Sequence, residues 1–376
     1  MMRRIGLLSC VLALCGCAGI HADFTQSFVD ANRSLDDDAW AAAYSPEMKL
    51  LAVGRDSGRL ELWDARKPDA RISVQAHELR TQGFAFGPAD GIVITHSASG
   101  NIQIGDLVQL ENGPKVWDAR SGKLLHAFRE PDWQPGAVSA TPLRGLYLLS
   151  SSDELRIYDH ASGTLAGQPL RLQQDGSVTC LDWDQTSGLI AAGTSKGVVL
   201  LLKLHRDEAG PRLEIVDRRT LPGSGARNDL LAVMLLDDGT RLVTVQHSPQ
   251  RAQALRDTVP PLYRSLQHET VRWNLAGWQR EHVYSSSLVG VHQAGFTRGE
   301  DWLMLAGVAG GTARIEGKIE LLDLRSGVAW LYKANTTHAT AVLLPAVREG
   351  LVLGNGRATR VKYLDQAEDV PWSAPR

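Results

Sequence analysis

A short unit of strands and turns recurs along most of the chain, and this recurrence constrains the fold more than any other feature. Apolar runs of four to seven residues, rich in Val, Leu and Ile, alternate with clusters of Gly, Asp, Pro and Ser. Short runs with this punctuation are typical of β-strands joined by tight turns. No long amphipathic helix pattern separates them. The sequence therefore predicts an all-β protein.

The clearest copy of the unit spans residues 40–66. It contains an apolar strand at residues 50–54, a turn that begins at Asp56, and a further strand that ends in Trp63-Asp64. Six later copies bring the total to seven. Five of them end in a similar way, at Trp117-Asp118, Tyr158-Asp159, Trp273-Asn274, Leu322-Asp323 and Tyr363-Leu364-Asp365, and a degenerate copy lies at residues 202–204. One such sheet cannot bury both of its faces, whereas a ring of sheets can. The repeat therefore predicts a closed ring.

The units resemble the WD40 repeat, whose copies fold together into a β-propeller. A second stretch, which opens with Ala76-His77 and ends with Gly87-Pro88, resembles the start of a WD repeat, with a small residue and His before a strand and a turn. In that family the His bonds to an Asp in a later loop, and here an insertion occupies the position of that Asp. The resemblance covers about residues 40–365. A different propeller family of the same shape stays open as an alternative.

The resemblance implies a single seven-bladed β-propeller over residues 27–368, followed by a C-terminal tail at residues 369–376. Residues 27–35 are expected to close the ring by supplying the outer strand of the last blade, beside residues 359–364. The resemblance assigns framework roles to Asp56, Trp63, Asp64, His77, Trp117, Asp118, Tyr158, Asp159, Trp273 and Asp323.

The first residues carry an export signal. Arg3 and Arg4 precede an apolar run at residues 5–14, which is too short for the roughly 20 residues that a membrane-spanning helix needs. The run leads into Leu14-Cys15-Gly16-Cys17, which resembles the bacterial lipobox. This resemblance implies a signal peptide at residues 1–16, an acylated Cys17 and a tether at residues 17–26.

The residue after the lipobox cysteine bears on the destination. Ala18 stands where many lipoproteins retained at the inner membrane have Asp, so we expect an outer-membrane lipoprotein that faces the periplasm. The alternative is an ordinary signal cleaved near Ala18, which would give a soluble periplasmic or secreted protein. After cleavage at Cys17, Cys180 would be the other cysteine left. It lies in an apolar stretch and is expected to pack as a small hydrophobic residue rather than to act as a nucleophile.

Three connections between the second and third strands of a unit are unusually long. They lie at residues 100–114, 247–269 and 309–317, in the second, fifth and sixth units. In a propeller such connections open on one face, and loops on a rigid scaffold are where function concentrates. Because Arg and Tyr are favoured interface anchors, we predict partner contacts at Arg251, Arg256, Tyr263, Arg264 and Arg314. The alternative is a set of mobile, solvated loops with ordinary charges.

Charge and motif patterns argue against several chemistries. The net charge of −2 and a pI near 6.6 give no basic excess to attract nucleic acid. Residues 193–197 match the nucleophile motif G-x-S-x-G, but strands flank Ser195 on both sides, whereas the motif needs a strand that runs into a helix. Glycine pairs elsewhere lack the strand-to-helix setting of a phosphate loop. We predict no cofactor.

The histidines do not show metal-ligand spacing. No two of them stand in an H-x-x-x-H or H-E-x-x-H arrangement, and no metal is predicted. His77, His247, His292 and His338 are expected near the long connections. A lone His in such a place is usually a hydrogen-bonded structural residue.

These observations favour a membrane-anchored periplasmic scaffold or adaptor that binds a protein partner through the face with the long connections. One alternative is a propeller enzyme, such as a lactonase or a quinoprotein-like oxidoreductase, with polar residues that converge at the channel mouth. A second alternative is a lipoprotein that binds a glycan or peptide, with Trp133 stacking on a sugar.

Overall fold

The protein is a ring of antiparallel β-sheets. The structure, a computed structural model, describes residues 39–67, 71–87, 90–97, 113–128, 135–151, 153–208, 210–222, 230–254, 267–284, 286–297, 302–311, 314–333, 340–344, 349–354 and 357–362. In each sheet, strands that are consecutive in the chain are hydrogen-bonded neighbours. Each four-stranded sheet is called a blade, and its strands are a, b, c and d in chain order.

The first three blades cover residues 39–171. Blade one contains β1 (Ala39–Ser45), β2 (Leu50–Arg55), β3 (Arg59–Asp64) and β4 (Arg71–Gln75). Blade two contains β5 (Thr81–Gly87), β6 (Ile92–Ser97), β7 (Lys115–Asp118) and β8 (Leu124–Ala127). Blade three contains β9 (Pro135–Ala140), β10 (Leu146–Ser151), β11 (Glu154–Asp159) and β12 (Leu170–Arg171).

The next three blades are followed by a shorter sheet. Blade four contains β13 (Val178–Trp183), β14 (Leu189–Thr194), β15 (Val198–Asp207) and β16 (Gly210–Thr220). Blade five contains β17 (Leu230–Leu236), β18 (Arg241–His247), β19 (His268–Asn274) and β20 (Gln279–Tyr284), with helix α1 (Pro249–Ala254) between β18 and β19. Blade six contains β21 (Gly290–Thr297), β22 (Trp302–Gly311), β23 (Arg314–Asp323) and β24 (Ala329–Lys333). The last sheet contains β25 (Thr340–Leu344), β26 (Glu349–Gly354) and β27 (Arg357–Lys362).

The prediction of seven blades is wrong. Within the residues described, the chain forms six four-stranded blades, and the last sheet has three strands. The repeat pattern marks where third strands end, and a marked third strand does not by itself make a complete blade. Residues 27–35, which were expected to add the outer strand, and residues 363–365, the last repeat ending, lie outside the described ranges.

The first strands of the sheets line the centre of the ring. β1 lies against β5 on one side and against β25 on the other, so the three-stranded sheet stands between blade six and blade one. Because neighbouring strands are antiparallel, the a–b turns and c–d turns lie at one end of the ring. This end is called the a–b face. The b–c connections and the connections between blades lie at the other end, called the b–c face.

The hydrophobic core fills the spaces between neighbouring blades. Ala52 and Leu62 of blade one pack with Val93 and Trp117 of blade two, and similar clusters join the later blades. β2, a second strand, is buried along its whole length because both of its faces meet a neighbouring blade. The continuous apolar runs of the sequence therefore correspond to strands covered on two sides.

Five of the repeat endings mark the ends of third strands. β3, β7, β11, β19 and β23 end at Asp64, Asp118, Asp159, Asn274 and Asp323. The degenerate copy at residues 202–204 lies inside β15 instead, because this strand and β16 continue as a long hairpin up to the pair Asp207 and Gly210. The charged residues of that extension do not resemble an apolar run that stops at a turn.

A short sequence motif, separate from the endings of the third strands, occurs in four tight turns. Asp, two residues, Ser and Gly recur from Asp118, Asp159, Asp184 and Asp323. At Asp118 the carboxylate accepts hydrogen bonds from the backbone N–H and the hydroxyl of Ser121, at 2.7 and 2.6 Å. Gly122 follows with φ of 68°, a conformation that glycine adopts without strain. These hydrogen bonds lower the pKa of Asp118 and keep it ionised.

Candidate functional site

A buried hydrogen-bond network fixes the entry to blade two. The Trp117 indole N–H donates to Oγ1 of Thr95 at 2.9 Å, and the same hydroxyl bonds to Nε2 of His77 at 2.8 Å. Burial lowers the pKa of His77 to about 3, with smaller contributions from Lys115 and His96. The His is therefore neutral at pH 7. Residues 98–112, the connection that follows β6, lie outside the described ranges.

The hydrogen bond from Trp to Thr recurs in blade five, and blade one has a different partner for its Trp. The Trp273 indole N–H donates to Oγ1 of Thr244 at 3.0 Å. Blade one has Val53 at the corresponding position of its second strand, so no hydroxyl is present there. The Trp63 indole N–H instead donates to Glu61 at 3.3 Å, and Glu61 forms an ion pair with Arg55 at 2.8 Å. Each variant satisfies the buried indole N–H.

Three further residues with predicted framework roles lie at different places in their blades. Tyr158 is buried between blades two and three, with its ring stacked 5.9 Å from Tyr147 and edge-on to Phe128 at 4.7 Å. Asp56 lies in the exposed b–c turn of blade one and is 3.6 Å from Arg80. Asp64 accepts two side-chain hydrogen bonds from Arg66. The framework roles that the resemblance assigns to these residues stay predictions.

The three long connections of the b–c face differ in form. The blade-two connection, at residues 98–112, lies outside the described ranges. In blade six the predicted loop at residues 309–317 is an extension of β22 and β23, which remain paired up to Gly311 and Arg314. The blade-five connection begins with α1, and residues 255–266 beyond it lie outside the described ranges.

Helix α1 is tied to the end of its own blade. Ser248 stands just before the helix, and its N–H donates to the carbonyl of Gln267 at 2.8 Å. The Ser248 hydroxyl accepts a hydrogen bond from the N–H of Arg251 at 3.4 Å and contacts Glu269 at 3.4 Å. Ser is a favoured residue at the N-terminus of a helix for this reason. Both ends of the blade-five connection are therefore joined to each other where they leave the sheet.

The same place is also tied to the connection that enters blade six. Arg251 donates to the carbonyl of Leu288 at 2.7 Å and to Oε1 of Gln267 at 3.1 Å. The Gln267 amide donates in turn to the carbonyl of Val289. Burial lowers the pKa of Arg251, while the carboxylate of Glu320 favours its charged form. We call Arg251 and Gln267, with the backbone at residues 288–289, the interblade clasp.

A buried carboxylate of blade six also binds the segment that leads from blade five into blade six. Glu320 of β23 is fully buried, and its Oε1 accepts hydrogen bonds from the N–H and the hydroxyl of Ser287, at 3.1 and 3.0 Å. Five side-chain hydrogen bonds therefore fix residues 287–289 between blades five and six. The blade-five connection consequently leaves the ring from a rigid base.

Of the residues predicted to contact a partner, the structure describes the side chain of Arg251 alone. Arg251 lies in the interblade clasp, where its guanidinium is engaged by the protein itself. Arg314 begins β23, and its side chain lies outside the described part of the structure. Arg256, Tyr263, Arg264 and the lipidation residue Cys17 lie outside the described ranges, as does Trp133. Their predicted roles stay predictions.

His247, Ser195 and Cys180 are residue types that can take part in catalysis or metal binding, and the structure shows what surrounds each of them. His247 and His268 face each other across the last pair of β18 and β19, with ring centroids 6.1 Å apart. Ser195 lies in the turn of the hairpin between β14 and β15, where its hydroxyl accepts a hydrogen bond from the N–H of Ser177 at 3.2 Å. Burial raises the pKa of the Cys180 thiol to about 12. In the described part of the chain, no three His, Cys, Asp or Glu residues lie together as a metal site would require.

The described helices can be compared with the length and apolar character of a membrane-spanning helix. Among the helices of the described ranges, none combines the length and the apolar character needed to cross a bilayer. The predicted signal peptide and tether lie outside those ranges.

Comparison with known proteins supports the fold. The chain is 31% identical over 103 residues to DmX-like protein 1 of Mus musculus, which corresponds to 27% of this chain and 3% of that protein. It is 24% identical over 226 residues to Meiotic fizzy-related protein 1 of Schizosaccharomyces pombe, which corresponds to 52% of this chain and 51% of that protein. No protein-family description matches the chain. The chain thus spans about half of one relative and a small part of the other.

Both relatives are WD-repeat proteins. Together with the ring of antiparallel sheets, they identify the fold as a WD40-like β-propeller. Such a scaffold is compatible with a role in protein interaction.

Proposed function

We propose that the protein is a periplasmic scaffold, anchored to the outer membrane through Cys17, that binds a protein partner on its b–c face. The observation that carries the proposal is the interblade clasp. It fixes the base of the longest connection through hydrogen bonds to residues 288–289 of the next blade. A rigid base lowers the conformational entropy that a binding segment loses when it meets its partner.

The composition of the segment beyond the clasp supports the same proposal. Residues 255–266 contain Arg256, Tyr263 and Arg264, which are residue types that dominate protein interfaces. The paired strands of blade six bring Arg314 to the same face. A partner that covers both connections would contact two adjacent blades of one rigid ring.

Replacing residues 255–266 with a short Gly-Ser turn tests the proposal. Helix α1 and Gln267 stay intact in this variant, so the interblade clasp and the blade are expected to stay folded. We expect capture from detergent-solubilised membranes of the native organism to lose one specific protein at least tenfold. Melting temperature and circular dichroism check that the ring is intact.

A matched replacement on the other face serves as the control. The turn between β15 and β16, at residues 208–209, is replaced by a Gly-Ser turn of the same kind. This variant is expected to capture the same protein as the unaltered chain. Equal capture by all three proteins would contradict the assignment of the b–c face, and capture of no protein by the unaltered chain would contradict the scaffold proposal.

A further inference from the structure

A cavity lies at the end of the central channel that opens on the a–b face. Its volume is about 690 Å³, and its walls come from the first strands of blades one, two, three, four and six. The a–b turns of the first four blades form its rim, at Glu47, Asp90, Arg144 and Gln185. Cavities of about 300–1,000 Å³ are the size that small-molecule ligands occupy. It lies opposite the b–c face and is independent of the proposed protein-binding role.

Four aromatic side chains occupy the same position in four blades. Each stands opposite the second residue of the neighbouring b strand, in the pairs Tyr44 with Leu51, Phe86 with Val93, Trp183 with Ile190 and Phe296 with Leu303. We call Tyr44, Phe86, Trp183 and Phe296 the aromatic belt. All four line the cavity and are only half-buried. Blade three has Ala140 at this position, which leaves space beside them.

A second layer of apolar residues lies deeper in the channel. Two residues before each belt position, the strands present Ala42, Phe84, Val138, Leu181 and Ala294, all of which line the cavity. The alternation of a β-strand places these residues on the same side as the belt. A ligand that covered both layers would remove apolar surface from water, worth roughly 25 cal/mol for each Å².

The rim of the cavity carries an excess of negative charge. Asp90 forms an ion pair with Arg144 at 3.1 Å and accepts a hydrogen bond from the N–H of Gly145 at 2.9 Å, so these two charges balance. Glu47 is exposed and, among the residues described, contacts the Ser45 hydroxyl and no basic side chain. The carboxylate therefore favours a ligand with a positive charge at the mouth.

We infer that this cavity binds a small molecule with an aromatic or aliphatic body and a cationic end. The body would cover the apolar layers, and the cation would lie near the faces of the belt and the Glu47 carboxylate. A cation over an aromatic face is attracted by the ring quadrupole, and more strongly where water is excluded. A negatively charged molecule of the same size would make the same apolar contacts, but its charge would be repelled by the Glu47 carboxylate.

Calorimetric titration of the full chain with two probes tests this inference. Benzyltrimethylammonium supplies an aromatic body and a permanent positive charge, and benzenesulfonate supplies a similar ring with a negative charge. We expect the cation to bind with an affinity at least tenfold higher than that of the anion. Absence of cation binding, or equal binding of both probes, would overturn the inference.

Variants locate the binding at the cavity. Trp183→Ala is expected to weaken benzyltrimethylammonium binding at least tenfold, whereas Trp330→Ala, in the outer strand of blade six, is expected to leave it unchanged. Glu47→Gln should reduce the preference for the cation over the anion several-fold. If Trp183→Ala does not fold, Phe86→Leu replaces it, because it keeps an apolar side chain and removes one aromatic face. Unchanged affinity in the folded cavity variants would show that the probe binds elsewhere and would refute the assignment.

Discussion

Replacement of Glu61 with Ala is expected to lower the free energy of unfolding by about 3–5 kcal/mol. Glu61 and Arg55 form an ion pair at 2.8 Å whose side chains are 6% and 2% exposed. Glu61 also accepts a hydrogen bond from the Trp63 indole and lies 3.7 Å from Arg71. Its removal would take this carboxylate away from the buried Arg55 charge and from the indole N–H of Trp63. Urea unfolding followed by tryptophan fluorescence measures the change.

A solvent-exposed ion pair supplies the control for Glu61→Ala. Arg212 contacts Asp207 and Glu214, and all three side chains are about half exposed. Exposed pairs of this kind contribute roughly 0–1 kcal/mol, so Arg212→Ala should change stability little. If Glu61→Ala were no more destabilising than Arg212→Ala, the buried pair would not support blade one as described.

Thr95→Val is expected to destabilise the protein by about 2–4 kcal/mol. The two side chains have nearly the same shape, so the substitution removes the hydroxyl and changes the packing little. Without that hydroxyl, the Trp117 indole N–H and Nε2 of His77 lose their shared buried partner. Thermal unfolding at pH 7 measures the effect, with Thr164→Val in an exposed turn as the matched control. A loss below about 0.5 kcal/mol, which is typical of surface substitutions, would show that the network contributes little.

Much of the fold could be predicted because its determinants are local. Each repeat carries its own strands and turns, and the ring forms because each sheet must cover its neighbour. The indole positions at Trp63, Trp117 and Trp273 mark third strands for this reason. The Thr partners of Trp117 and Trp273 follow the same local pattern, since Thr95 and Thr244 stand at the same position of the second strand in their blades.

The number of complete blades could not be predicted from the repeat endings. The last sheet has three strands in the described part of the chain, although its repeat carries a recognisable ending beyond Lys362. Whether a fourth strand joins a sheet depends on pairing with another part of the chain. A repeat motif inside one strand contains no such information.

The contacts that Arg251 makes within the chain could not be predicted, for a related reason. Its partners Gln267 and Leu288 lie 16 and 37 residues away in the chain. Composition alone predicts that Arg251 contacts a partner, because an Arg in a long connection usually faces solvent.

The aromatic belt could not be predicted from the sequence either. Its members are scattered over four repeats, and only the register of the strands shows that they occupy the same position. The Asp-x-x-Ser-Gly turns, in contrast, were visible in the sequence as a simple motif.

Crosslinking in the native cell tests whether a partner protein covers the b–c face, as we propose. A photo-reactive amino acid is placed at Gln253, an exposed position of α1 on the b–c face, or at Gln185, an exposed a–b turn position on the opposite face. We expect Gln253 to give one specific crosslinked protein and Gln185 to give none. Crosslinks to the same protein from Gln185 alone, or from both positions equally, would contradict the proposal that the partner binds the b–c face.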